Sequence, residues 1–282
     1  MHPIDDSLSL KSAGQFLTEE AREAIAAIQT SVVPLFNAGE DGQVQLLGSA
    51  VLIEFGADVF LCTAKHVLDE CIADQSFLYF CGPDNLEPQP GDFRVSANDL
   101  DTAVLKLAAE HAKRFRDAVP LKEDSIANQV QAELCKYVEF IGFPATKNKR
   151  SVKPFVLKHA MQCNGGTVKE ITPLKVRVKF NKKHNIGSES RKRVMAPDPN
   201  GMSGGAMFGV MINEETITGN PKPLLIGIST DNPDATEVFG TNIRVALAII
   251  RDDYEVALPW RLDPKDLKVP TTVMNFGMPE KS

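Results

Sequence analysis

The hydrophobic positions along the chain fall mostly in short runs rather than at helical spacing. Residues 44–47, 50–55 and 59–63 are such runs, and Gly56-Ala57-Asp58 supplies a turn between the last two, which predicts a hairpin. Further strands are predicted at 30–36, 101–107, 137–142, 155–161, 174–180, 206–212 and 224–229. Gly165-Gly166 and Pro221-Lys222-Pro223 read as turns between them. Helical spacing is confined to a few places. Thr18 reads as an N-cap before Glu19 and Glu20, with Ala24, Ile25, Ile28 and Val32 on one face. A short helix is expected after His66, through Val67, Leu68 and Cys71, and a closing helix at 243–250. Segment 110–118 is charged and reads as a link between two halves. Many short strands with helices near the ends predict antiparallel barrels or sandwiches rather than βαβ units.

Composition adds limits. The chain has 282 residues, 43% apolar and 24% charged, with a formal net charge of −6. That excludes collagen-like, low-complexity and wholly disordered readings. At about 150 residues per unit, the length suits two folding units or one large β unit. No apolar run approaches the roughly 18 residues of a membrane helix. The first residues have neither a basic start nor an apolar stretch, so a secretory signal is not expected. Cys62, Cys71, Cys81, Cys135 and Cys163 show neither C-x-x-C nor zinc-finger spacing, so reduced thiols and a cytoplasmic location are expected.

Candidate chemistry starts at Gly201-Met202-Ser203-Gly204-Gly205. Glycines around a serine allow an unusual backbone path and let neighbouring N–H groups converge on an oxyanion. The string also fits the nucleophile elbow G-x-S-x-G, but that arrangement needs a later histidine. The last histidine here is His184, so the elbow is excluded. The order His, Asp, Ser is available. His66 ends the string Thr63-Ala64-Lys65-His66 after an apolar strand, and Asp101 opens another strand, with Asp99 as a competing acid. Such an arrangement lets an imidazole take the serine proton while a carboxylate fixes its tautomer.

These strings resemble those of trypsin-like (chymotrypsin-fold) serine peptidases. Thr63-Ala64-Lys65-His66 is similar to T-A-A-H, Asp101-Thr102-Ala103-Val104-Leu105 to D-x-A-L-L, and Gly201 to Gly205 to G-x-S-G-G. Gly48-Ser49-Ala50 resembles the strand before the histidine, Phe140-Ile141-Gly142-Phe143-Pro144 the segment opening the second barrel, and 225–230 the substrate-pairing strand. The likeness spans about residues 31–250 and is closer to bacterial cytosolic or high-temperature-requirement-type members than to secreted zymogens. It implies a mostly all-β fold of two antiparallel six-stranded β-barrels with the active site in the cleft between them, plus an N-terminal helix and a short C-terminal helix. The implied division is an extension at 1–30, a first barrel at 31–118, a second at 119–258 and a tail at 259–282. It implies Ser203 as nucleophile, His66 as general base and acid, and Asp101 as orienting carboxylate, preferred over Asp99 because the apolar strand follows it directly. The Gly201 and Ser203 N–H groups would form an oxyanion hole, and Ser229, Thr230 and Pro197 would contact substrate. Residues 59–63 and 225–230 are candidate edges, the latter for pairing with an extended substrate.

Departures from the family sharpen these expectations. Met202 stands where secreted members carry the Asp that receives a cleaved N-terminus, so activation by that route is not expected. Val67 follows His66 in place of a disulfide cysteine. Pro197 replaces the acidic pocket base of trypsin itself, so a Lys or Arg preference is unsupported, although Asp198 is near. The expected function is a serine endopeptidase needing no metal or organic cofactor, with a protein or peptide as substrate. A regulatory protein partner and a non-catalytic peptide-binding module are the other readings. Neither nucleic acid nor membrane is an expected partner.

The charge is unevenly spread. Residues 147–193 hold 14 Lys or Arg and two acids, a local +12, which leaves 17 basic and 35 acidic residues, or −18, elsewhere. Lys175-Val176-Arg177-Val178-Lys179-Phe180 alternates, giving one basic and one apolar strand face. That basic face reads as a solvated surface, or as a docking face for an acidic partner or for an acidic surface of the same chain.

Overall fold

The computed structural model describes residues 28–38, 44–144, 161–180, 185–186, 193–194, 201–211, 222–234 and 236–279. The chain is mostly β. Its first half supplies β1 (Val32–Ala38), β2 (Val44–Phe55), β3 (Asp58–Thr63), helix α1 (Lys65–Ala73), β4 (Phe77–Cys81), β5 (Leu86–Pro88), β6 (Gly91–Ser96), β7 (Ala103–Leu107) and the single turn α2 (Ala109–Ala112). Then follow α3 (Gln129–Leu134), β8 (Cys135–Gly142), β9 (Gln162–Ile171), β10 (Lys175–Lys179), the ribbon β11 (Asn185–Ile186) and β12 (Arg193–Val194), β13 (Ala206–Met211), β14 (Leu224–Asp234), β15 (Glu237–Asn242), α4 (Ile243–Asp253) and β16 (Thr271–Phe276). Strands β8, β9, β10, β15, β14 and β13 close into a six-stranded antiparallel barrel. The first sheet is an eight-stranded curled half-barrel in the order β16-β6-β7-β3-β2-β1-β4-β5.

Burial explains why several strands read as continuous apolar runs instead of alternating ones. Ala50 and Leu52 of β2 point into the core of the first sheet, while Val51 and Ile53 point into a second core shared with the barrel. Strand β13 behaves the same way, with Met207 inside the barrel and Phe208 in the shared core. A strand buried on both faces needs apolar residues at every position. Helix α4 plugs the shared core with Val245, Ile249 and Ile250, all at most 1% exposed. Asn242 caps its start by accepting the Arg244 N–H at 3.1 Å. The two sheets are therefore held by one continuous apolar interface, and their polar contacts can be devoted to positioning loops.

The segment read as a charged link also carries a buried aromatic group. Phe115 stacks on Phe80 at 4.0 Å between centroids, and His111 meets Phe80 edge-on at 5.0 Å. Burial, with Arg114 nearby, holds the His111 imidazole below its ordinary value, partly opposed by Glu87. A histidine with a depressed folded pKa binds fewer protons than in the unfolded chain, so stability falls as pH drops through the unfolded value of about 6.5. Thermal melts between pH 7 and 5 should show this loss, and His111→Gln should flatten part of the slope.

The structure departs from the sequence pattern in several places. Gly165-Gly166 is no turn but lies inside β9, paired with Glu139 and Val138 of β8. Strand β3 is not an edge, since β2 and β7 flank it. Strand β14 pairs with β13 over Leu224–Ile228 and with β15 from Gly227 to Asp234, so both of its flanks are paired only at Gly227 and Ile228. Asp101 is not in strand conformation, and the strand begins at Ala103. Residues 259–282, expected as a tail, contribute β16, which pairs with β6 from Thr271↔Ser96 to Phe276↔Gly91. Helix spacing at 18–27 and most of the strand expected at 155–161 lie outside the described residues. Among the described residues no helix is long and apolar enough to cross a membrane.

Candidate functional site

His66 is the second residue of α1, which starts two residues after β3 ends. Asp101 lies in the turn between β6 and β7. Two hydrogen bonds join them: the His66 backbone N–H donates to Asp101 Oδ1 at 2.9 Å, and His66 Nδ1 lies 2.7 Å from Asp101 Oδ2. A carboxylate only accepts, so Nδ1 carries the proton and the Nε2 of a neutral ring is left as the base. Asp101 holds this pose in a left-handed conformation, φ 43° and ψ 50°. Asp tolerates that region better than most side chains, yet it still costs energy, of order 1–3 kcal/mol. The turn is pinned by Thr102, whose N–H donates to Ser96 Oγ at 3.0 Å, and by Thr241 Oγ1 of the barrel, which donates to the Leu100 carbonyl. Asp99, the competing acid, makes neither of the bonds to His66.

Ser203 sits in the loop entering β13, on the barrel side. The loop is stitched to both sheets by backbone bonds. Ser49 N–H of β2 donates to the Ser203 carbonyl at 2.8 Å, and Gly204 N–H donates to the Ser229 carbonyl at 2.7 Å. Gly204 has φ +82°, and a Cβ there would fall 2.0 Å from the Ser49 carbonyl oxygen and 2.2 Å from Thr63 Oγ1, so only glycine fits. The serine loop thus presses onto the end of β3, three residues before His66. Gly48 marks the same closeness from the other side. A Cβ on it would lie 2.8 Å from Val67 Cγ2, the residue after His66, and 2.9 Å from the Ser203 carbonyl oxygen. Ser203 Oγ donates to the Thr230 carbonyl at 3.0 Å. Among the described residues, no backbone carbonyl accepts the N–H of Gly201 or Ser203.

The structure therefore brings His66, Asp101, the Gly201–Gly205 loop, Ser229 and Thr230 into one junction between the sheets. Pro197 and Asp198 lie outside the described residues. Met202 is 1% exposed and faces the barrel core, so the position anchors the loop by apolar burial. Two polar residues at the junction were not assigned a role from sequence. Ser49 is fully buried and meets both the serine loop and the start of the β8–β9 connection, and Thr63 Oγ1 donates to the Ser49 carbonyl at 2.7 Å. The sequence signals for them were the Gly48-Ser49-Ala50 string and, for Thr63, its place at the head of Thr63-Ala64-Lys65-His66.

Other candidate groups resolve more simply. Val176 and Val178 are buried in the barrel, and the basic face of β10 points outward, as the alternation predicts. Arg177 on that face is met by the chain's own acids, Glu170 at 3.2 Å and Glu237 at 2.9 Å, and lies over the Phe239 ring at 5.1 Å. Such exposed pairs add little stability, but they answer part of the basic segment internally. Burial pushes the Cys62 and Cys135 thiols up to about 12, which suits inert packing residues. Among the described residues no three His, Cys, Asp or Glu side chains cluster as a metal site.

No family model matches the chain, and no curated protein sequence matches it. Solved structures do resemble it in shape. One is a chain from a structural study of aromatic interactions in the coupled folding and binding of the intrinsically disordered Sesbania mosaic virus VPg protein. It shares 10% identity, covers 80% of this chain and 96% of its own, and superposes with a TM-score of 0.45. The closed barrel beside a curled half-barrel is compatible with a chymotrypsin-like fold.

Proposed function

We propose that the chain is a trypsin-like serine endopeptidase. The observation that carries this reading is the doubly bonded His66–Asp101 pair, which leaves Nε2 as a base at the junction where the glycine-rich Ser203 loop docks. Ser203 Oγ attacks the substrate carbonyl carbon, forming the C–O bond as its proton passes to His66 Nε2. The N–H groups of Gly201 and Ser203 receive the oxyanion. Collapse breaks the C–N bond, and His66 returns the proton to the leaving nitrogen. Water then hydrolyses the ester by the same route, with His66 again as base.

The Ser203 hydroxyl donates to the Thr230 carbonyl, so its hydrogen must swing to His66 before attack. The purified chain should be incubated with a fluorophosphonate probe and a peptide library, alone and with cell extract. Labelling and cleavage by the chain alone support a constitutive enzyme, and activity only with extract supports partner control. Absence of labelling and cleavage under both conditions refutes the peptidase reading and leaves a non-catalytic peptide-binding module.

A further inference from the structure

We infer that Ser49 is a positioning residue that sets the oxyanion-binding conformation of the serine loop. The inference rests on the peptidase reading for its catalytic consequence, but its structural part stands on the hydrogen bonds alone. Ser49 is 0% exposed and belongs to the first sheet, while everything its hydroxyl touches belongs to the barrel half of the chain. The Phe143 N–H donates to Ser49 Oγ at 2.9 Å. An amide can only donate, so the single hydroxyl hydrogen is free for the Gly201 carbonyl, 3.1 Å away. The result is a directed relay from Phe143 N–H through Ser49 O–H to Gly201 C=O. The same residue's N–H donates to the Ser203 carbonyl at 2.8 Å, and its carbonyl is held by Thr63 Oγ1 at 2.7 Å. Ser49 thereby grips carbonyls on both sides of Met202.

This grip matters because Gly201 has φ +87°, a conformation in which glycine is equally free to move elsewhere. Rotation of either peptide plane flanking Gly201 or Ser203 would turn a carbonyl towards the place where an N–H is needed. Ser49 fixes the Gly201–Met202 and Ser203–Gly204 planes on either side of the Met202–Ser203 plane, which carries the Ser203 N–H and whose own carbonyl accepts the Gly205 N–H at 3.0 Å, so that donor is oriented before substrate arrives. Preorganised donors of this kind act mainly on the transition state, and losing one costs roughly 10²–10³ in kcat.

The test compares wild type, Ser49→Ala and Ser49→Thr, with Thr63→Val as a milder change should Ser49→Ala not fold. Amide hydrogen exchange at Gly201–Gly205 is measured beside the fluorophosphonate reaction rate and the kcat and KM of a cleaved peptide. Ser49→Ala should speed exchange at the loop but not across β13 and β14, and should lower kcat and the labelling rate roughly 100-fold with KM nearly unchanged. Ser49→Thr, which keeps the hydroxyl, should recover most of the rate. Unchanged loop exchange in Ser49→Ala, or in Thr63→Val if only that variant folds, overturns the inference. So does a fall in kcat that Ser49→Thr fails to restore. If wild type neither labels nor cleaves, the peptidase reading fails separately, and loop exchange alone decides the structural role.

Discussion

Ser203→Ala should abolish both peptide cleavage and reaction with a fluorophosphonate while the protein stays folded. In enzymes whose nucleophile and base act as a unit, removing the nucleophile costs roughly 10⁶-fold in kcat. The substitution removes one oxygen whose observed bond is to the Thr230 carbonyl. The stitching of the loop is carried by backbone groups instead, the Ser203 carbonyl to Ser49 and the Gly204 N–H to Ser229. Thermal unfolding should therefore shift little, which separates loss of chemistry from loss of fold. Cleavage at the wild-type rate in Ser203→Ala would show that the chemistry resides elsewhere.

Asp101→Asn should be nearly as damaging, and Asp99→Asn should not. Asn keeps the shape of Asp, tolerates the left-handed backbone that Asp101 adopts, and its carbonyl oxygen can still accept the His66 N–H. Its NH₂ group would then face Nδ1 as a donor and force the ring proton onto Nε2. The imidazole would present a donor where a base is needed, a tautomer error that costs roughly 10⁴-fold in kcat. The loss should ease as pH rises only if another route supplies a base. Comparing kcat for the two Asn variants at fixed pH checks the assignment. Equal loss in both, or none in Asp101→Asn, would remove Asp101 from the machinery.

The elements legible in the sequence were those whose residues carry their own reason. Strands β2 and β13 are buried on both faces and so read as apolar runs. The hairpin turn at Gly56 has the positive φ that its glycine advertised, +62°. Strand β16 was not legible because Thr272, Val273 and Asn275 are exposed, and pairing with β6 rather than its own pattern holds it in place. Strand β9 was hidden by Gly165-Gly166, whose small size lets Tyr137 pack on Gly165 and the Lys179 backbone approach Gly166 instead of turning the chain. His66, Asp101 and Ser203 could be nominated from strings because each string has a strand end or glycines beside it. Ser49 could not be assigned a role that way. Its partners Phe143 and Gly201 lie 94 and 152 residues away, and only the folded chain brings them together.

The proposed chemistry depends on activation of Ser203 as a nucleophile by the His66–Asp101 pair. Its most direct test is tandem mass spectrometry of the protein after fluorophosphonate treatment, run beside His66→Ala. One phosphonyl adduct is expected, on Ser203, and His66→Ala should suppress its formation. An adduct on a different residue, or equally fast modification of Ser203 without His66, would contradict it.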